Sequence, residues 1–158
     1  MSNNALINVL HLIPHPEGGY YKETYRASES LINKGGNKRN FSTAIYFMLE
    51  NTDKSRFHRI QSDELWFFHQ GEILEIIYII EGQLHTILLG NNIENGILPQ
   101  AIIPANTWFA SSIKNKKGYS LVSCTVAPGF DFNDFELANR EELVAEHPDL
   151  KNIIEEFT

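Results

Sequence analysis

From Phe41 onward the chain is a succession of short apolar runs broken by turn residues, the pattern of an all-β sandwich or barrel. Strands are predicted near Phe41 to Leu49, Ser55 to Ile60, Glu64 to His69, Ile73 to Ile80, Gln83 to Leu89, Gln100 to Ile103, Thr107 to Ser112 and Tyr119 to Ala127. Asn51-Thr52-Asp53, Gln70-Gly71, Glu81-Gly82, Asn91 to Gly96 and Lys114 to Gly118 supply the turns. No stretch of helical length and period separates these strands, which excludes parallel βαβ units and predicts antiparallel pairing.

Upstream, Leu6, Val9, Leu10 and Ile13 recur at helical spacing, so a short helix is predicted over Ala5 to Ile13, with Pro14 as its stop. Pro14 to Gly19 reads as a turn, Tyr20 to Arg26 as a strand, and Ser28 to Asn40, with Gly35-Gly36, as an exposed loop. Near the C-terminus Asn139, with Glu142 three residues on, predicts a capped helix. Leu150, Ile153, Ile154 and Phe157 then share one helical face. The helices are expected to pack outside the barrel, and residues 1–158 to form one domain.

Composition narrows the function classes. The 158 residues are 42% hydrophobic and 21% charged, an ordinary globular balance, and the net charge of −7 repels phosphate backbones, so no nucleic-acid partner is expected. The basic spots Lys34 to Arg39 and Lys114 to Lys117 read as solvated loop tips. Met1 to Leu12 lacks a positive leader and no apolar run reaches membrane length, so a cytoplasmic protein with no membrane partner is expected. The single cysteine, Cys124, lies in the apolar run Leu121 to Val126 and reads as a small core residue rather than a nucleophile. There is no phosphate loop, Cys-x-x-Cys pair, Gly-x-Ser-x-Gly elbow or His-Glu-x-x-His helix.

The segment from Phe57 to Gly71 concentrates the candidate chemistry. Alternation places His58 with Ile60 on one face of a strand, and Glu64, Trp66 and Phe68 on one face of the next. If both faces point inward, His58 and Glu64 meet inside the barrel as proton-transfer groups or ligand anchors; otherwise His58 is a hydrogen-bonded core histidine. His69 falls on the opposite face and reads as structural, or as part of a subunit interface. Trp66, Phe68, Trp108 and Phe109 are either core or the walls of a site for a planar ligand. Glu17 and Gly19 lie in a turn that either rims the pocket or is purely local, and Tyr21 with Glu23 supply either ligand contacts or surface cross-strand pairs.

His58, Glu64 and Gly71 match the first cupin motif, His-x-His, three or four residues, Glu, six residues, Gly, and Pro104 to Phe109 resembles the second, Pro-x-Gly-x-x-His. Ile60 and Phe109 stand where that superfamily has its other two histidine ligands, and Asn106 replaces the glycine. Pro14 to Thr24, Ser62 to Trp66 with Phe68 to Gly71, Pro99-Gln100 with Pro104 to Trp108, and Val126 to Phe132 with Phe135 to Ala138 resemble one branch in particular, the small cupin family five, a domain of unknown function. The resemblance implies a jelly-roll (double-stranded β-helix) barrel, a homodimer and an open small-molecule pocket. With half of the metal cage missing, no cofactor is expected, although a divalent metal on His58 and Glu64 stays open. The leading expectation is metal-independent proton transfer of the epimerase or isomerase type on a sugar-nucleotide or nucleobase-like metabolite. A non-catalytic binding or sensing module, and a metal-dependent oxygenase or isomerase, are the alternatives.

Overall fold

The computed structural model describes residues 3–158. In chain order the elements are α1 (Asn3–Leu10), β1 (Ile13–Pro14), β2 (Tyr20–Arg26), β3 (Ser30–Ile32), β4 (Lys38–Asn40), β5 (Thr43–Glu50), β6 (Lys54–Ile60), β7 (Asp63–Gly71), β8 (Leu74–Ile80), β9 (Gln83–Leu89), β10 (Gln100–Ile103), β11 (Trp108–Ile113), β12 (Tyr119–Ala127), β13 (Phe135–Leu137), α2 (Arg140–Glu146) and α3 (Lys151–Glu156). Two sheets, ordered β1-β2-β5-β12-β7-β10 and β13-β6-β11-β8-β9, face each other, and every pairing between named strands is antiparallel. This is the all-β, two-sheet antiparallel barrel expected from the sequence, with short helices at both ends of the chain.

Strand alternation sorts the apolar residues into three clusters. Phe47, Trp66, Ile76, Phe109 and Val122 fill the space between the sheets. Their neighbours Ile77 and Ala110 point outward, where with Phe57 they meet Leu143, Ile154 and Phe157 of the C-terminal region. Met48 and Leu121, beside Phe47 and Val122, emerge on the other side under Leu6 and Leu12. Central strands are thus buried on both faces, which is why they read as nearly continuous apolar runs. Among the described residues no helix is long and apolar enough to cross a membrane.

Four local expectations are corrected. The first helix ends at Leu10, not Ile13: His11 adopts φ 54°, and Leu12 N–H donates to Ile7 O at 2.9 Å, a paired C-cap that frees Ile13–Pro14 to join β2 as a short strand. The stretch read as an exposed loop, Ser28 to Asn40, contains the β3–β4 hairpin, whose turn is closed by Asn37 N–H on Asn33 Oδ1 at 2.9 Å. Its strands are three residues long, too short to show alternation. Arg39 there is no solvated loop tip: it holds Asp134 through two bonds of 2.6 and 2.7 Å. Finally β13, absent from the predicted strands, pairs with β6 and sets Phe135 opposite Ile60 and Leu137 opposite His58.

Asn139 caps α2, its Oδ1 accepting the Glu142 N–H at 3.1 Å. Asn139→Ala is expected to cost about 1 kcal/mol, read as a lower urea midpoint at unchanged slope. An unchanged midpoint would show the cap to be idle.

Candidate functional site

A cavity of about 320 Å³ opens at one end of the barrel. On the six-stranded sheet it is built from cross-strand rows. Arg26, Thr43, Val126 and Glu64 form one, and Glu23, Ile45, Cys124 and Trp66 the next. Tyr21 and Phe47 begin a third, in which Val122 and Phe68 follow but lie beyond the cavity. The opposite sheet contributes His58 and Ile60 from β6 and Phe135 from β13, while Phe130, Asp131 and Phe132 come from the connection after β12.

Glu17 reaches this interior from the turn before β2. Gly18 N–H donates to His15 O at 3.0 Å, His15 N–H donates to Gly19 O at 2.9 Å, and Arg56 N–H donates to Glu17 O at 2.8 Å, stitching the turn to β6. The Glu17 side chain is buried, accepts the Ser55 hydroxyl at 2.8 Å and lies 3.0 Å from His58 Nε2. His58 Nδ1 lies 2.7 Å from Arg56 O, and a carbonyl only accepts, so Nδ1 carries the hydrogen and Nε2 of the neutral ring is a lone-pair acceptor. A proton therefore occupies the gap between Nε2 and Glu17 Oε2. Burial pushes the Glu17 carboxyl up and His58 down to about 4, both of which favour a neutral carboxylic acid donating to a neutral imidazole.

Glu64 is the second buried carboxyl. Burial first, and then the nearby Glu17, push its pKa up to about 8. The Cys124 thiol and the Trp66 indole N–H oppose that rise, though the indole N–H is not aligned for a full hydrogen bond and has no other partner. Burial beside Glu64 raises the Cys124 thiol well above its ordinary value, so it is a neutral donor and not a thiolate nucleophile. His15 accepts the Glu17 N–H on Nδ1 at 3.2 Å and is held neutral by burial, its ring meeting Tyr21 edge to face with centroids 4.5 Å apart.

His58, Glu64, Glu17, Tyr21, Glu23 and Trp66 thus share one cavity, whereas Gly19, Phe68, Trp108 and Phe109 do not line it. A Cβ on Gly19 would meet Leu49 Cδ2 at 2.5 Å, so that glycine serves the approach of β2 to β5. Phe68 sits one row too deep and packs in the core. Trp108 faces out from β11, under the Arg59 guanidinium at 4.3 Å and against the C-terminal helices. Phe109 faces in but supports the His58 ring from behind, 4.1 Å between centroids. His69 lies on the outer face, where it bonds Ser123 and meets Tyr46. The sequence reading missed His15, Arg26, Cys124 and the Phe130, Phe132 and Phe135 rings as cavity residues.

The donor set does not fit the cupin metal. Ile60 and Phe109 occupy two of the four ligand positions, and both nitrogens of His58 are committed, to Glu17 and to Arg56 O. Among the described residues no three His, Cys, Asp or Glu side chains are grouped so as to hold an ion.

Comparison with known proteins places this geometry. The chain is 34% identical to a hypothetical protein from Leishmania major, with a TM-score of 0.95 over 100% of this chain and 99% of that one. A Shewanella oneidensis protein solved by X-ray crystallography is 38% identical, with a TM-score of 0.91 over 100% and 98%. An uncharacterized protein of Saccharomyces cerevisiae is 32% identical over 155 residues, 89% of this chain and 77% of the yeast protein. An oxalate decarboxylase variant from Bacillus subtilis shares the fold alone, at 12% identity and a TM-score of 0.59 over 96% of this chain and 38% of that one. Residues 4–138 match the family described as Cupin superfamily (DUF985), and the chain belongs to that family, Cupin_5.

Proposed function

We propose that the barrel binds a small planar, nucleobase-like metabolite and moves a proton on it without a metal. The observation that carries this reading is the pair of buried carboxyls, Glu17 and Glu64, set around His58 inside an aromatic-walled cavity. A buried acid is retained at such a cost in desolvation chiefly where its proton is used. Glu64, at about 8, is the station poised to give and take a proton near neutral pH. The Glu17–His58 couple stores a second proton between Oε2 and Nε2, atoms 3.0 Å apart, and can relay it to the ligand's other side.

Incubating the protein in D₂O with a small-molecule extract, followed by mass spectrometry, tests this directly. A metabolite should gain deuterium with the wild-type chain. Both His58→Ala and the isosteric Glu64→Gln should lower that rate by roughly 10²-fold or more while thermal stabilisation by the same metabolite persists. Stabilisation by a metabolite with no deuterium gain in any chain would overturn proton transfer and leave a binding module.

A further inference from the structure

The chemical class of the ligand follows from a charge census of the cavity, an inference that rests on the binding reading above. Four carboxyl groups line it, Glu17, Glu23, Glu64 and Asp131, against Arg26 as the only permanent cation among the described lining residues. Arg26 is already spent within the protein. Its Nε and Nη2 hold both Glu23 oxygens at 2.9 and 2.7 Å, Nη1 holds Asn40 Oδ1 at 2.8 Å, and Nη2 also reaches Phe130 O at 3.1 Å. That leaves one N–H of a guanidinium whose charge Glu23 has neutralised. The imidazoles are no substitute, since burial keeps His15 and His58 neutral. A phosphate, diphosphate or carboxylate would enter a low-dielectric space with no cation to meet it.

The walls point the same way. Phe130 and Phe132 meet edge to face at 4.9 Å, with Phe135 beside Phe132 at 5.9 Å and Tyr21 behind the His15 ring. Phe132 is half exposed and stands at the entrance. Rings next to carboxylates are the arrangement that recognises a desolvated cation, attracted by the ring faces and neutralised by the acid. The net charge of −7 adds a field that draws cations toward the molecule.

We propose that the cavity selects a planar nitrogenous cation, of the amidine or protonated-heterocycle class, whose charged edge pairs with Glu64 and whose ring lies among the Phe130, Phe132 and Phe135 rings. Glu64 is faced by Glu17 from the β1–β2 turn, His58 from β6 and Cys124 from β12; β2 brings Arg26, its charge already neutralised by Glu23, the connection after β12 brings Asp131, β5 brings only Thr43, Ile45 and Phe47, and Ile103 of β10 stands opposite. None of these supplies a competing positive charge. Because the empty cavity holds Glu64 protonated below about 8, binding a cation there expels that proton.

Benzamidinium, benzamide and benzoate share one shape and differ in charge, so calorimetric titration with the three isolates the effect. Benzamidinium should bind roughly tenfold or more tighter than benzamide, with benzoate weakest. Its affinity for wild type should rise with pH up to about 8 and then level, whereas Glu64→Gln should bind it weakly at all pH values with no such rise. Benzoate binding as tightly as benzamidinium, or equal pH slopes in the two chains, would overturn the cation assignment while leaving a small-molecule cavity standing. Failure of all three probes to bind at millimolar concentration would remove the assignment and the binding reading together.

Discussion

Glu64→Gln is expected to make the protein more stable than wild type above pH 8, by up to about 5 kcal/mol. In the folded chain burial holds Glu64 protonated up to about 8, while in the unfolded chain it ionises at its ordinary value near 4.5. Between those values the unfolded state binds fewer protons, so wild-type stability falls as pH rises and the loss is complete above 8. His58 works at the other end of the scale. Buried neutral, with its pKa down at about 4 instead of 6.5, it withdraws up to about 3 kcal/mol as pH falls from 6.5 to 4.

The two groups offset each other between about 4.5 and 6.5, which gives wild type a plateau there and a decline on the alkaline side. Glu17, raised in the same direction as Glu64, steepens that decline and remains in the mutant. The signature is therefore the difference between the chains, opening from about 4.5 and saturating past 8, measured by urea unfolding at a series of pH values. Parallel profiles would mean that Glu64 ionises normally inside the barrel.

What the sequence made legible follows from periodicity. His58 and Glu64 could be placed on inward faces because strands alternate, and the same parity rule brings Cys124 inward with Val122 and Val126 on β12. Cys124 was read as mere core because its partner, the Glu64 carboxyl, is adjacent only through the Trp66–Cys124 register of two strands nearly sixty residues apart. Parity also fails to say how far along the barrel a residue sits. Phe68 shares a face with Glu64 and Trp66 yet lies past the end of the cavity.

Residues outside regular elements had no period to read. Glu17 was offered as a rim residue and lies instead against His58, at a depth fixed by the backbone bonds of its turn to β6. The Phe130 to Phe135 wall was invisible for the same reason: β13 is three residues long, and its place beside β6 is fixed by tertiary contacts such as Ala138 N–H on Phe57 O at 2.8 Å. The only local signal was composition, a cluster of aromatic and acidic residues following Pro128-Gly129.

Gly18→Ala should disable the site from the backbone outward. Gly18 has φ +115°, a conformation closed to side chains without strain, and a Cβ there would fall 2.0 Å from Lys54 O. Lys54 begins β6, which is paired along its length with β11, so the strand cannot yield and the turn must move. Moving it strips Glu17 of Ser55 and His58, leaving a buried acid and a buried imidazole without partners. Strain and lost bonds together are expected to cost about 4 kcal/mol and to abolish benzamidinium binding. Gly36→Ala separates the two causes, because Gly36 also has positive φ, +78°, but no atom lies within 4 Å of its Cβ position. That substitution should cost only about 1 kcal/mol and leave binding intact. Equal losses in the two variants would mean that backbone strain alone is at work, and that the turn can shift from Lys54 without disturbing Glu17.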